Sequence, residues 1–199
     1  MNLTGSSFDY MGGMGMANRT HDEWLALRCQ LREPGAFEDL VYELERPLLY
    51  YATKLVGDES AALDVLQDVW MTVFRKIRKL KDPGALRPWI YRIVHGIATD
   101  RIRRAVSRKR FEYAEAEDTP ESNGDPFFAT EDAAAIHEAL NAVDVEHREV
   151  LTLHFLEEFS ITEIAGVLGI PEGTVKSRIH HAKKRLKDLL VRGGYGKKE

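Results

Sequence analysis

Lys176, Ser177, His180, His181 and Lys184 fall on one arc of a helical wheel, and no acidic side chain interrupts them. Ammonium, hydroxyl and imidazole groups in that arrangement can donate hydrogen bonds to base edges and phosphates. The arc is defined by what lies behind it. Val175, Ile179, Ala182, Leu186 and Leu190 recur at helical spacing and require burial. Just upstream, Ile161, Ile164, Ala165 and Leu168 form the apolar stripe of a shorter helix. Gly169 ends that helix, since a C′ position favours the left-handed conformation. Pro171 blocks continuation across the turn, and Thr174 can cap or open the helix that follows. A short helix, a tight turn and a second helix with an apolar back and a basic front make a helix-turn-helix suited to a DNA major groove.

A second polar constellation lies in the helix expected from Pro88 to Arg110. Ile90, Ile93, Val94, Ile97 and Ala98 take its core side. Trp89, Arg92, Gly96, Thr99 and Arg103 share another side, where an indole and two guanidinium groups flank the gap left by glycine. Such a surface can stack unpaired bases and hold phosphates. Arg101, Arg104, Arg108, Lys109 and Arg110 add sequence-independent attraction. The ordinary alternative for a lone helical Trp is a half-buried core position.

The third constellation lies on a helix expected from Ser60 to Leu80. Ala62, Leu66, Val69, Val73, Ile77 and Leu80 face a core that Trp70 and Phe74 widen. Asp64, Asp68, Met71 and Arg75 run down the other side with Gln67 on the shoulder. A Met within a compact mixed-charge stripe suits a protein partner, a plain solvated face being the alternative.

These helices are positioned by an all-α chain of 199 residues. Residues 112–132 carry two Pro, one Gly and no basic residue, and read as a flexible acidic linker. The linker joins two small helical domains, 22–111 and 133–192, the second being the helix-turn-helix. Residues 1–21 are expected to be a disordered leader and 193–199 a tail. Asp58 or Ser60 is expected to cap the Ser60–Leu80 helix. The net charge of −4 hides strong segregation. Residues 71–110 hold 13 basic and 2 acidic side chains, and 173–199 hold 9 and 2, with acidic stretches on either side. Two separate basic blocks point to two polyanion contacts.

Other classes fall away. The start lacks a secretory pattern, and no apolar run suits a membrane span, so a cytoplasmic location without membrane insertion is expected. Cys29 is alone. His147 and His154 are seven residues apart and would share a helix face with His137 elsewhere, but no paired carboxylate or Cys supports a metal centre. Neither a Gly-rich phosphate loop nor a nucleophile elbow is present. The expectation is therefore a non-enzyme without metal or cofactor.

Three segments together carry a family resemblance: DVLQDVWMTVFRKI (64–77), RPWIYRIVHGIATDRIRR (87–104) and REVLTLHFLEEFSITEIAGVLGIPEGTVKSRIHHAKKRL (148–186). In this order across an acidic linker they resemble a small two-domain bacterial sigma factor of the extracytoplasmic-function (ECF) group. The resemblance implies a protein that binds core RNA polymerase and directs it to promoter DNA. It implies that Asp64, Gln67, Asp68, Met71 and Arg75 dock on the polymerase. It implies that Trp89, Arg92, Gly96, Thr99, Arg103 and Arg104 capture the melted minus-ten element. Thr174, Lys176, Ser177, His180, His181 and Lys184 would then read the minus-thirty-five element. An anti-sigma factor is implied as a further partner. This chain departs from the family in carrying His95-Gly96 for the common Arg-Asn pair, and Val143-Asp144 for the usual Leu-Pro, where Asp144 can serve as an N-cap. The competing reading is a stand-alone helix-turn-helix regulator, which explains 133–192 but leaves the basic, aromatic first domain unused.

Overall fold

The computed structural model describes the backbone of residues 9–111 and 131–192, and all regular structure among them is helical. Four helices build an N-terminal lobe: α1 (Asp9–Gln30), α2 (Ala36–Val56), α3 (Glu59–Lys76) and α4 (Leu86–Phe111). Four more build a C-terminal lobe: α5 (Glu131–Asn141), α6 (Val145–Leu151), α7 (Ile161–Leu168) and α8 (Glu172–Arg192). The acidic linker expected at 112–132 and the tail at 193–199 lie almost wholly outside the described residues.

The first helix begins earlier than apolar periodicity indicates. The leader was expected to run to residue 21, yet α1 starts at Asp9. Polar anchors, invisible to a hydrophobic pattern, hold the helix just before Trp24. Arg87 Nε donates to both Asp22 carboxylate oxygens at 2.9 and 2.8 Å, and His21 Nε2 lies 2.6 Å from Glu43 Oε1. Asp22 is almost fully buried. Burial raises its carboxyl pKa, and the Arg87 guanidinium opposes that rise.

Local chemistry explains the remaining boundaries. Gly57 ends α2 at φ +79°, a conformation that side chains with a Cβ resist. Asp58 then caps α3, accepting the Ala61 N–H at 2.6 Å. The helix ends at Lys76 and tightens into a single turn over Ile77–Lys79 rather than running evenly to Leu80. Pro88 sits in the first turn of α4, where its missing N–H costs nothing. In the C-terminal lobe Asp144 does occupy the residue before α6, but its side chain makes no capping bond. It lies 3.6 Å from His147 Nδ1 instead. After α6 the chain widens over Thr152–Leu156, where the Glu157 N–H reaches the Thr152 carbonyl at 3.2 Å.

Ala62, Leu66, Val69, Val73 and Ile77 of the expected α3 stripe are buried, as are Ile90, Val94 and Ala98 of α4. Val65 and Tyr91 join them at 0% exposure, although neither was expected inside. Phe74 is a correction: it is 66% exposed and does not widen the core. The two lobes are not held apart. α4 packs on α7 and α2 on α6, so that one apolar core runs through both. Tyr91 meets Phe159 edge-on at 5.0 Å across the joint.

Candidate functional site

The helix-turn-helix is built from the turn outward. Ser160 Oγ accepts the Glu163 N–H at 3.2 Å while Glu163 Oε2 accepts the Ser160 N–H at 2.9 Å, a reciprocal cap that starts α7. Gly169 closes α7 in the left-handed conformation at φ +68°, where a Cβ would be strained. The Thr162 hydroxyl donates to Glu172 Oε1 at 2.7 Å and ties α7 to the start of α8. α8 thus begins two residues before Thr174, which is half-buried in its first turn and not its cap.

Val175, Ile179 and Ala182 are buried against α6 and α7, and Leu186 is partly so. This docking turns Lys176, Ser177, His180, His181 and Lys184 outward, and all five are exposed. The Ser177 hydroxyl donates back to the Thr174 carbonyl at 3.0 Å, leaving its oxygen free to accept. The rings of His180 and His181 stand 5.5 Å apart, nearly perpendicular. Neighbouring cations are already engaged: Arg178 pairs with Glu146 at 2.6 Å, and Lys183 Nζ sits 4.8 Å above the Phe155 ring. None of Lys176, His180, His181 or Lys184 has an acidic partner among the described residues. The other histidines are dispersed. His137 is buried against Tyr50, and His154 Nδ1 lies 3.2 Å from the Phe159 carbonyl oxygen.

On α4, Arg92, Gly96, Arg103 and Arg104 are exposed, while Trp89 and Thr99 are half-buried. The indole packs along the edge of the core, as the ordinary reading of a lone helical Trp expects, and is not fully buried. The Thr99 hydroxyl donates to the His95 and Gly96 carbonyls at 2.7 and 3.1 Å and is turned toward its own helix. Nothing lies within 4 Å of where a Cβ on Gly96 would stand, so the gap is open to solvent or ligand. Arg103 is partnered by Asp100 at 3.1 Å.

On α3, Asp64, Gln67, Asp68, Met71 and Arg75 are all exposed. Two apolar neighbours extend this face: Leu63, 50% exposed, and Phe74, whose ring meets Phe37 at 5.1 Å. Their exposure beside Met71 is a signal that helical periodicity reads as core. Asp64 is not free of its surroundings. Arg101 of α4 donates to it at 2.5 Å, so the α3 and α4 faces share an ion pair.

Comparison with known proteins follows this layout. A family model described as Sigma-70 region 2 matches residues 40–108, covering most of α2, all of α3 and most of α4. A second, Sigma-70 region 4, matches residues 133–186, covering the helix-turn-helix. The ECF RNA polymerase sigma factor SigM of Mycobacterium tuberculosis is 34% identical over 180 residues, spanning 90% of this chain and 89% of its own. This chain belongs to the ECF sigma factor family. SigL of the same species is 33% identical over 142 residues, 70% of this chain and 80% of its own. Among solved structures, CnrH in complex with the cytosolic domain of CnrY superposes with a TM-score of 0.60 at 25% identity, covering 86% of this chain and 97% of that one.

The sigma factor directs RNA polymerase to initiate transcription at specific promoters. The stand-alone regulator reading fails, since it leaves the region-2 match at 40–108 unused. Members of this family are initiation factors rather than enzymes. No described helix is long and apolar enough to cross a membrane.

Proposed function

We propose that the sigma factor divides its work among three helices. α3 docks on core RNA polymerase through Asp64, Gln67, Asp68, Met71 and Arg75, extended by Leu63 and Phe74. α4 captures the melted minus-ten strand with Trp89, Arg92, Gly96, Thr99, Arg103 and Arg104. α8 reads the minus-thirty-five element with Ser177, His180 and His181, while Lys176 and Lys184 hold phosphates and Thr174 supports the first turn. The observation carrying this reading is the outward arc of α8, whose donors are exposed without acidic partners because Val175, Ile179 and Ala182 are buried behind them. Residues 22–111 and 133–192 act as the two functional domains, joined by 112–132. The protein performs no chemistry of its own, works in the cytoplasm and is held in check by an anti-sigma factor.

The test is run-off transcription on genomic fragments, with core polymerase alone and with the sigma factor added. Discrete, sigma-dependent starts sharing an upstream element are expected. Tight binding to promoter duplex in the absence of polymerase, with no sigma-dependent start, overturns the reading.

A further inference from the structure

The outward arc of α8 sets two imidazole rings between two fixed cations. His180 and His181 are both exposed, and their rings stand 5.5 Å apart and nearly perpendicular, so adjacent residues present ring nitrogens in different directions. Lys176 lies one turn before His180 and Lys184 one turn after it. Imidazole is the side-chain group that ordinarily exchanges its proton between about pH 5 and 8. Its hydrogen bonding changes with that proton. A neutral ring offers one donor and one acceptor nitrogen, whereas an imidazolium offers two donors and a positive charge.

Neither ring has an acid of this chain against it among the described residues. The helices packed on α8 are α5, α6 and α7, and their charged groups are turned to other tasks. Glu146 of α6 is held by Arg178 at 2.6 Å. Glu149 accepts from the Tyr51 hydroxyl at 2.8 Å and lies 2.6 Å from His95 Nδ1. His147 approaches Asp144, and Arg148 donates to the Leu140, Asn141 and Val143 carbonyls. Glu163 of α7 serves the Ser160 cap, and Glu172 holds Thr162. On α5, His137 is buried against Tyr50, and Glu138 is exposed without a hydrogen bond or ion pair to either ring. On α8 itself Lys183 covers Phe155 and Arg185 is exposed. Asp188, seven residues beyond His181, stands about 10 Å further along the axis.

DNA supplies the negative charge that the chain withholds. A groove walled by phosphates favours the charged form of an imidazole, so a ring that docks there takes up a proton. The sign follows from that uptake. The added binding is complete below the pKa of a free ring and is lost as pH rises through the higher pKa of a bound one. We propose that His180 and His181 determine upstream specificity through their protonation, so that the promoters this sigma factor prefers shift with pH. Protonated rings donate to the O6 and N7 acceptors of guanine and add to the hold on phosphates, whereas neutral rings can also accept from the amino groups of adenine or cytosine. Lysine ammonium groups keep their charge over this range, so Lys176 and Lys184 supply a grip that does not change. This inference rests on the assignment of α8 to the minus-thirty-five element and states how that reading is tuned.

The test uses holoenzyme assembled from core polymerase and the full chain. Wild type is compared with His180→Gln/His181→Gln and with Lys176→Ala/Lys184→Ala, each checked for helicity. Glutamine keeps a donor and an acceptor but takes up no proton. Binding to a promoter library randomised in the upstream element is measured at about pH 6 and about pH 8, at low and high salt. On acidification wild type is expected to gain at least about fivefold more affinity than the glutamine variant on the same core polymerase. Its salt slope should be steeper by about one unit at the lower pH. Sequences selected by wild type should gain guanine upstream at the lower pH, while the glutamine variant selects the same sequences at both. An equal pH response in wild type and the glutamine variant, with binding weakened in the alanine variant, overturns the proton linkage and leaves α8 as the reader. Wild-type binding by both variants at either pH overturns the assignment of α8, and the linkage with it.

Discussion

Under the proposed role of α8, His181 is the residue through which upstream specificity is most open to change. It is exposed on the outward arc of α8, and among the described residues its recorded side-chain contact is the neighbouring imidazole ring. His181→Arg places a bidentate fork where a single ring nitrogen stood, and such a fork favours guanine. Selection from a library randomised in the upstream element should show a shift toward guanine at one position, whereas Lys184→Ala should weaken binding evenly and reduce the salt slope by about one unit. An unchanged preference for His181→Arg would mean that α8 docks in another orientation. Cys29 is the opposite case. Burial pushes its thiol up to about 11, and its Sγ donates to the Ala36 carbonyl at 3.3 Å. Iodoacetamide at pH 8 should leave the folded protein unmodified and react once it is unfolded, because the thiolate is the reactive form. Outward arcs such as these were legible in the sequence because burial of one helix face determines the other. Phe74 and Tyr91 were not. Whether an aromatic faces core or solvent at the edge of a stripe depends on which neighbouring helix covers it, and periodicity carries no record of that neighbour.

Helix ends were readable where a residue type dictates a conformation. Asp58 and Gly169 did so, and each acts as expected. Gly169→Ala forces a Cβ into the left-handed region at about 1–2 kcal/mol. Thermal unfolding should show a loss of that order in the C-terminal lobe, with weaker minus-thirty-five binding, while core polymerase binding through α3 persists. No measurable stability loss would show that the turn relaxes without strain. α3 carries the converse test. Arg75→Glu reverses a charge within the proposed polymerase face, a change that typically costs several kcal/mol in a complementary interface. Phe74→Ser should weaken the same complex without unfolding the lobe, as its ring is largely exposed. Wild-type polymerase affinity in both variants would remove α3 from the interface. The reciprocal cap of Ser160 and Glu163 is present in the sequence as a spaced pair, but a short polar signature is easily passed over beside a strong apolar stripe.

At the scale of the molecule, the arrangement of the lobes was the least legible feature. Tyr51 and Glu149 are 98 positions apart, and nothing in local spacing couples them. Composition indicated two helical units, and the described helices do fall into two lobes, but contact between the lobes depends on a few polar groups chosen by geometry. The packing of α1 was obscured for a similar reason, since Asp22 meets Arg87 across 65 positions. Asp22→Ala should strip Arg87 of its buried partner and lower stability by about 3 kcal/mol. Chemical denaturation of the full chain measures this, and a change below about 0.5 kcal/mol would show that water replaces the carboxylate.

The Asp64–Arg101 pair joins the helix proposed to face polymerase to the helix proposed to face DNA, and this constrains how the protein can diverge. Polymerase is a shared partner that changes slowly, whereas promoters are numerous and free to drift. A substitution at Arg101 that changes the general grip on DNA phosphates leaves Asp64 of α3 without its partner, so the two positions should covary among descendants. Affinity for DNA in this chain would then evolve in paired steps, with α3 recording changes first selected on α4.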